Sequence, residues 1–358
     1  MADPHSRADP AADPLSRSPE AGPGTRVAVV VPSWDGEEHL PACLDALAAQ
    51  TLEHLAVVVD NGSTDGSVDL VRERYPHVRL VRLPRNRGFA GGVNAGIAAA
   101  LDAGCELVAL LNNDAVAEPG WLERLVAEAD AHPEAGIVGA KVLTWDGTHL
   151  DSTGDRYSLW GLPTPRGRGE PDDGRYDDAR DLLAASGGAS LYRAALLRQV
   201  GGFDEAFFAY YEDVDLSLRA QLAGWAVRYA PAARVRHRIG GTSARVPDFA
   251  RFHVLRNLVY LFVKDVPAPL LPRALPRFAL LYLSMVASGV ARGHARVTLR
   301  AAGAALVRLP VLLARRRAVQ RARTVPVERF AALLEPDLPP EQAALRRLEA
   351  RWRQLRRR

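Results

Sequence analysis

Four times in succession the chain repeats one unit: a short aliphatic run, a polar turn, and a stretch of helical apolar period. Val27 to Val31 runs into Pro32-Ser33-Trp34-Asp35-Gly36, after which Leu40, Leu44 and Leu47 recur at i, i+4 and i+7. Leu55 to Val59 ends at Asp60-Asn61-Gly62-Ser63 before a helix reaching Tyr75, and Val78 to Leu83 leads into Asn86-Arg87-Gly88 and a small-residue helix. Glu106 to Leu111 ends in Asn112-Asn113-Asp114, and Pro119 opens the next helix. Continuous apolar runs without alternation are strands buried on both faces, and strands joined through helices run parallel. The expected fold is α/β, a doubly wound and mostly parallel sheet. Further strands are expected at Ile137 to Val142, Ala184 to Tyr192 and Trp225 to Pro231.

In such a sheet ligands bind outside the carboxyl ends of the strands. The loops after Pro32, Asp60, Leu83 and Leu111 all lie there, so Asp60 and Asp114 face one crevice. Asp60 suits hydrogen bonding to a base or ribose hydroxyl and equally suits an Asx turn ahead of Gly62. Asp114 suits a hard divalent cation beside a diphosphate, since Mg²⁺ and Mn²⁺ take oxygen ligands. Arg85 and Arg87 are placed to meet a phosphate or to stay solvated. Gly88, Gly92 and Gly96 fall on one helix face and do not spell the dinucleotide fingerprint, which disfavours a nicotinamide enzyme. His237 is expected in a polar turn after a strand, either structural or joining Asp114 around a metal between Arg236 and Arg238.

Phe203 to Trp225 carries the densest chemistry. Phe207, Phe208, Tyr210 and Tyr211 precede Glu212, Asp213 and Asp215, and Leu216, Leu218 and Leu222 continue as a helix that Gly224 stops. Asp213 is expected at the N-cap. An aromatic wall desolvates a carboxylate and raises its pKa, making it a better proton acceptor for an alcohol.

At 358 residues the chain exceeds one average domain. The expected division is a tail at 1–25, disordered because it is rich in Pro, Ala, Asp and Ser, a catalytic domain at 26–245, and a basic helical region at 246–358. No apolar h-region precedes the first strand, and Cys43 and Cys105 suit buried thiols, so a cytoplasmic setting is expected. Trp145 to Asp181 is polar and reads as a surface excursion over the site. From Ala291 onward there are seventeen Arg against five acids. Phe252 to Val263 and Phe278 to Val290 read as amphipathic helices, each too short or too charged to span a bilayer, that either lie on an anionic membrane surface or pack on the domain. Glu341 to Arg358 reads as a basic helix. The arginines lack interleaved stacking aromatics, which favours lipid phosphates over nucleic acid.

These motifs together resemble the inverting GT-A glycosyltransferases of family 2, most closely the rhamnosyltransferase-like branch. Val-Val-Val-Pro-Ser-Trp-Asp-Gly, Val-Asp-Asn-Gly-Ser-Thr-Asp-Gly-Ser, Asn-Arg-Gly-Phe-Ala-Gly-Gly-Val-Asn-Ala-Gly and Leu-Leu-Asn-Asn-Asp occur in the family's order and spacing. Gly-Gly-Phe-Asp-Glu, Glu-Asp-Val-Asp-Leu-Ser-Leu-Arg and His-x-x-Gly-Gly-Thr-Ser complete the match over about Val27 to Ser243. The resemblance implies a GT-A fold with a C-terminal amphipathic helical extension, and a nucleotide-sugar donor bound by Pro32, Ser33, Trp34, Asp60, Asn61, Arg87, Gly88, Asn94, Asn112, Asn113 and Glu212. It implies Mn²⁺ or Mg²⁺ on Asp114 and His237, with Asn112 replacing the usual first Asp of the metal motif, and Asp213 as catalytic base. It further implies dTDP-rhamnose as donor, with a UDP- or GDP-sugar as the alternative because the motifs bind nucleotide and metal that different sugars share, and a cell-envelope glycan or lipid-linked acceptor at the inner membrane face. A sugar nucleotidyltransferase would carry a Gly-rich loop where Pro32-Ser33-Trp34 stands. A glycan-binding scaffold would have no need of a base.

Overall fold

The computed structural model of the protein describes residues 25–238 and 246–339. The expected N-terminal tail, apart from Thr25, the Gly-Gly-Thr-Ser segment after His237 and the basic helix from Glu341 lie outside the described residues.

The four expected units appear in order: β1 (Val27–Ser33), α1 (Leu40–Ala48), β2 (Leu55–Asp60), α2 (Ser67–Arg74), β3 (Arg79–Arg82), α3 (Gly88–Asp102) and β4 (Leu107–Leu111). β5 (Ala115–Ala117), α4 (Trp121–Ala131) and β6 (Ala135–Thr144) follow. Next come β7 (Leu150–Ser152), β8 (Asp155–Tyr157), β9 (Pro163–Pro165), β10 (Asp181–Leu182), β11 (Ala189–Arg193), α5 (Ala194–Val200), α6 (Glu212–Leu222) and β12 (Ala226–His237). The chain then turns helical: α7 (Phe249–Asp265), α8 (Leu271–Ala291), α9 (Ala295–Arg321) and α10 (Val327–Ala332).

The main sheet has the order β10-β12-β6-β11-β4-β1-β2-β3. β3, β2, β1 and β4 are mutually parallel, β6 and β12 are parallel to each other, and β11 is inserted antiparallel between β4 and β6. All seven positions of β1 are buried, because both faces are covered. Leu40, Leu44 and Leu47 of α1 and Trp121, Leu122 and Leu125 of α4 pack on one face. Val93 and Ile97 of α3, Leu196 of α5 and Leu216 of α6 pack on the other. The sheet is doubly wound and mostly parallel, and Ser33 pairs with Asp60 at its carboxyl edge. Both cysteines are free and buried.

Three expectations are corrected. β12 does not stop at Pro231: its register shifts between Ala230 and Arg234, and the strand resumes against β5 and β6 as far as His237. A proline lacks the N–H a ladder needs and is tolerated at such a bulge, so His237 closes a strand rather than sitting in a turn. The Trp145 to Asp181 excursion is not merely a surface cover: Tyr157 and Trp160 are fully buried, and Trp160 donates to Asp337 at 3.1 Å. The expected helices Phe252 to Val263 and Phe278 to Val290 are parts of the longer α7 and α8, α9 was not expected, and at 21 and 27 residues α8 and α9 are each long and apolar enough to cross a membrane. Pro276 and Pro310 lie inside them and disguise their length in the sequence.

The C-terminal helices share a core with the sheet domain. Leu258, Leu261 and Phe262 of α7 and Leu312 of α9 cluster with Val214, Leu218 and Leu222 of α6 and with Tyr157. Beneath that cluster a buried ionic network joins the same elements. Lys264 lies 2.8 Å from Asp204 and also pairs with Asp215, Arg219 lies 2.9 Å from Asp215, and Arg315 pairs with Asp204.

Candidate active site

Asp213 is the second residue of α6, and the N-cap is Tyr211 in a left-handed conformation, which corrects the expected assignment. The reason is a longer reach: one carboxylate oxygen accepts the Val214 N–H at 2.8 Å, and the other accepts the Gly187 N–H at 2.8 Å across the site. Burial lifts its carboxyl above the usual carboxylate range, although those two N–H groups pull it down. The side chain remains half-buried and open to the crevice.

The turn before β11 ties Asp213 to the acidic end of β4. Gly187 donates to Asp213 while the neighbouring Gly188 carbonyl accepts the Asn112 N–H at 2.9 Å. A Cβ on Gly188 would stand 2.9 Å from the Asn112 side-chain Nδ2, so a larger residue there would push the Asn112 side chain aside. Asn112, Asn113 and Asp114 therefore hold a fixed offset from Asp213.

His237 Nε2 lies 3.2 Å from Asp114 Oδ1, and His237 Nδ1 lies 2.8 Å from Asp151 Oδ2. Burial pulls the imidazole pKa down, but the hydrogen bonds to Asp114 and Asp151 outweigh it and raise the group to about 9. Asp151 is held below the usual range against its burial by His237 and by Arg168, 2.9 Å away. A histidine whose far nitrogen is oriented by a carboxylate has the outer-shell arrangement of metal-ligating histidines. Among the described residues no group of three His, Cys, Asp or Glu side chains encloses an ion. Asp114 offers a carboxylate oxygen and His237 an imidazole nitrogen 3.2 Å from it, a donor pair whose chemistry suits a divalent cation. A small pocket beside Asp114 is lined by Glu38, His39, Trp145 and Arg238, whose guanidinium lies 4.2 Å from the Trp145 ring.

The other expected residues fall at the same edge with varied duties. Pro32 and Ser33 end β1 buried, Trp34 is half-buried after it, and Asn113 donates to Ser33 Oγ at 3.0 Å. Asp60 Oδ1 accepts the Ser63 N–H at 3.1 Å, the Asx-turn contact, with Arg82 at 3.9 Å. Asn61 donates to the Gly88 carbonyl at 2.9 Å and accepts the Arg87 N–H at 2.9 Å, shaping the loop before α3. Arg87 is paired with Glu205 at 2.8 Å, and Asn94 clamps both the N–H and the carbonyl of Phe203. Glu212 is buried, and burial followed by the Asp213 charge holds its carboxyl well above the usual range.

Sequence reading missed Asp151, Asp155 and Asn257. Burial and then the Asp213 charge push the Asp155 carboxyl up to about 8. The two aspartates sit in the polar excursion with no motif around them. Asn257 lies on the buried face of α7 and donates to the carbonyls of Phe207, Ala209 and Tyr210 at 3.0, 2.8 and 2.7 Å. Those carbonyls belong to the loop entering α6, in which Phe208, Tyr210 and Tyr211 all have positive φ. A fully buried amide within the apolar period Leu255, Leu258 and Leu261 was the available signal.

Residues 28–201 match the model of glycosyl transferase family 2. The N-acetylglucosaminyl-diphospho-decaprenol L-rhamnosyltransferase of Mycobacterium tuberculosis is 33% identical over 265 residues, covering 66% of this chain and 83% of that protein. The mannosyltransferase PcManGT from Pyrobaculum calidifontis, solved with GDP-Man and Mn²⁺, superposes with a TM-score of 0.50 at 19% identity, over 83% of this chain and 85% of that one. S. aureus TarS 1–349 in complex with UDP superposes with a TM-score of 0.51 at 17% identity, over 86% of this chain and 90% of that one. At such identities the two structures speak for a shared fold.

Proposed function

This chain belongs to glycosyl transferase family 2 and has the GT-A fold, and on that premise we propose that it transfers a sugar, with inversion, from a nucleoside diphosphate to a lipid-linked cell-envelope acceptor. The observation that carries the proposal is the coupling of Asp213, through Gly187 and Gly188, to the Asn112-Asn113-Asp114 edge. A raised carboxylate and a diphosphate-facing acid are what an inverting displacement requires on opposite sides of one sugar.

In this reading Asp213 accepts the proton of an acceptor hydroxyl as that oxygen bonds to the anomeric carbon. The bond to the diphosphate breaks on the far side, and its electron pair leaves with the phosphate oxygen. Asp114 and His237 would hold Mn²⁺ or Mg²⁺, which would supply positive charge against the departing diphosphate. Asp151 fixes the His237 ring, Arg238 adds positive charge at the same edge, and Pro32, Ser33, Trp34 and Asp60 flank the base of the nucleotide. The name of the Mycobacterium tuberculosis relative, an L-rhamnosyltransferase acting on a diphospho-decaprenol, supports rhamnose as the sugar and a polyprenyl diphosphate as the carrier of the acceptor; dTDP-rhamnose and the cytoplasmic face of the membrane are the donor and setting of this reading.

The test is release of nucleoside diphosphate from a panel of dTDP-rhamnose, UDP-glucose, UDP-galactose and GDP-mannose, with and without Mn²⁺ or Mg²⁺, for the wild type and Asp213→Asn. Metal-dependent turnover of dTDP-rhamnose that the variant loses is the expected result. Calorimetric silence towards every donor overturns the transferase reading, and turnover of another donor alone overturns the choice of sugar.

A further inference from the structure

Among the described residues ten large apolar side chains are exposed, and eight of them lie on α8 and α9. On α8 the outward positions Leu275, Ala279, Leu283, Ala287 and Val290 recur at three- and four-residue spacing, which makes the solvent stripe wholly apolar. On α9 Leu299, Leu306 and Val307 are outward, Leu283 and Val307 being 66% and 80% exposed. An ordinary surface helix is patterned the other way, with its polar face out. A contiguous apolar face of this kind marks an interaction surface.

The charge around it identifies the partner. From Val266 to Val327 there are eleven Arg and no Asp or Glu. Arg273 and Arg277 stand at the start of α8, Arg292 and Arg296 at the turn into α9, and Arg308 and Arg317 along α9. Apolar stripes bordered by arginine alone suit a layer that is apolar inside and anionic at its surface. A second copy of the chain fits poorly, because it would set arginines against arginines with no acid between them. Spanning the bilayer fits poorly too. The inner faces of these helices are committed to protein: Phe278 and Leu281 of α8 and Ala305 and Leu312 of α9 are buried, Arg315 is paired with Asp204, and Arg316 donates to the Val263 carbonyl at 2.7 Å.

We infer that α8 and α9 form a docking face that lies on an anionic lipid monolayer, their outward apolar stripe in the acyl boundary and their arginines at the phosphates. Docking is transmitted rigidly inward: α9 and α7 are joined to α6 through Asp204, Lys264 and Asp215, so the lipid surface stands at a set offset from Asp213. The inference deepens the reading of a lipid-linked acceptor and rests on it for its purpose, while lipid binding is measured without any sugar donor.

The experiment is co-sedimentation of the full chain with vesicles of phosphatidylglycerol and phosphatidylcholine, against phosphatidylcholine alone. Leu283→Asp with Val307→Asp removes the apolar contact, and Arg308→Gln with Arg317→Gln weakens the charge; all four side chains are exposed, so folding is spared. The wild type should bind the anionic vesicles, and each double variant should lower binding on the order of tenfold. Raising the salt from about 0.1 M to 1 M should weaken the wild type several-fold. Carbonate extraction should release the protein from the vesicles. Equal binding to neutral vesicles, full binding by both variants, or resistance to carbonate overturns the inference. So does a concentration-dependent dimer that the apolar variant abolishes while vesicle binding is absent. Donor turnover reads the transferase proposal separately: a chain that binds vesicles but no donor refutes only that proposal, and a chain that turns over donor without binding vesicles refutes only this one.

Discussion

Replacing Asn257 by alanine should disable catalysis from α7, a helix that holds the loop leading into Asp213. The loop it holds has three non-glycine residues, Phe208, Tyr210 and Tyr211, at φ of 67°, 70° and 70°. At about 1–2 kcal/mol for each left-handed residue, the loop carries roughly 3–6 kcal/mol of conformational strain. The Asn257 amide opposes that strain through the Phe207, Ala209 and Tyr210 carbonyls, its two hydrogens shared among three acceptors. Arg256 adds contacts to the Ala206 and Phe207 carbonyls, at 3.1 and 2.6 Å. Leaving buried carbonyls short of a donor costs about 1–3 kcal/mol, and the small cavity adds to it, so Asn257→Ala should lower unfolding free energy by about 2–4 kcal/mol. The strain is then no longer fully opposed, and the loop relaxes at the residues that lead into Asp213. A displacement of about 1 Å at a catalytic group costs on the order of 10²-fold. The expected result is therefore a kcat reduced about 10²-fold with donor KM within about twofold of wild type, since the donor edge lies on β1, β2 and β4. Asn257→Asp keeps the shape but offers no hydrogen to the carbonyls, and should be no more active than the alanine variant. Steady-state diphosphate release and urea unfolding measure both quantities. Loss of stability with kcat intact, or an aspartate variant as active as wild type, would refute the reasoning.

Asp213→Asn should reduce kcat by about 10²–10⁴-fold while donor binding by calorimetry is retained, because the amide keeps one backbone contact and loses the basic oxygen. The base must be ionised and burial has raised it, so kcat should fall as pH drops, with the acid limb above the usual carboxylate range. Asp155, pushed up to about 8, stays protonated across the acid limb, so Asp155→Asn should leave that limb in place and change kcat only above pH ~8, where the wild-type carboxyl takes up charge beside Asp213, as a pH–rate profile will show. Gly88→Ala places a Cβ at φ +73 and 2.3 Å from the Phe208 carbonyl oxygen, so it should lower both melting temperature and kcat. Lys264→Met leaves Asp204 and Asp215 short of their buried cation and should cost about 3–5 kcal/mol in chemical unfolding. Lys264 and Arg315 outweigh burial and hold Asp204 well below the usual range, so the stability this ionic pairing supplies is present above pH ~4 and is lost as pH falls further. The variant should show a shallower acid-side decline.

Much of the site was legible because it is written in local runs. Aliphatic stretches such as Val27 to Val31 and Leu107 to Leu111 can be buried only between two layers, which dictates parallel strands and puts Asp60 and Asp114 at one edge. The acids of α6 were equally visible, since Glu212 and Asp213 open a helix whose apolar period follows directly. Beyond that, contacts between distant residues decided matters that no local period encodes. Asp151 reaches His237 from the excursion, Gly187 reaches Asp213 from the turn before β11, and Asn257 reaches the base loop from α7. The length of β12 turned on a bulge that lets a strand pass a proline. The apolar faces of α8 and α9 depended on which side α7 and the rest of the core cover, and the sequence supplies only the stripe. The sequence by itself determined the sheet and the edge at which its candidate site residues gather, because burial of an aliphatic run is a local demand. Only the tertiary structure decided how Asp213 and the loop before it are held and charged, and which face of the C-terminal helices is left open, because those are properties of what packs against what.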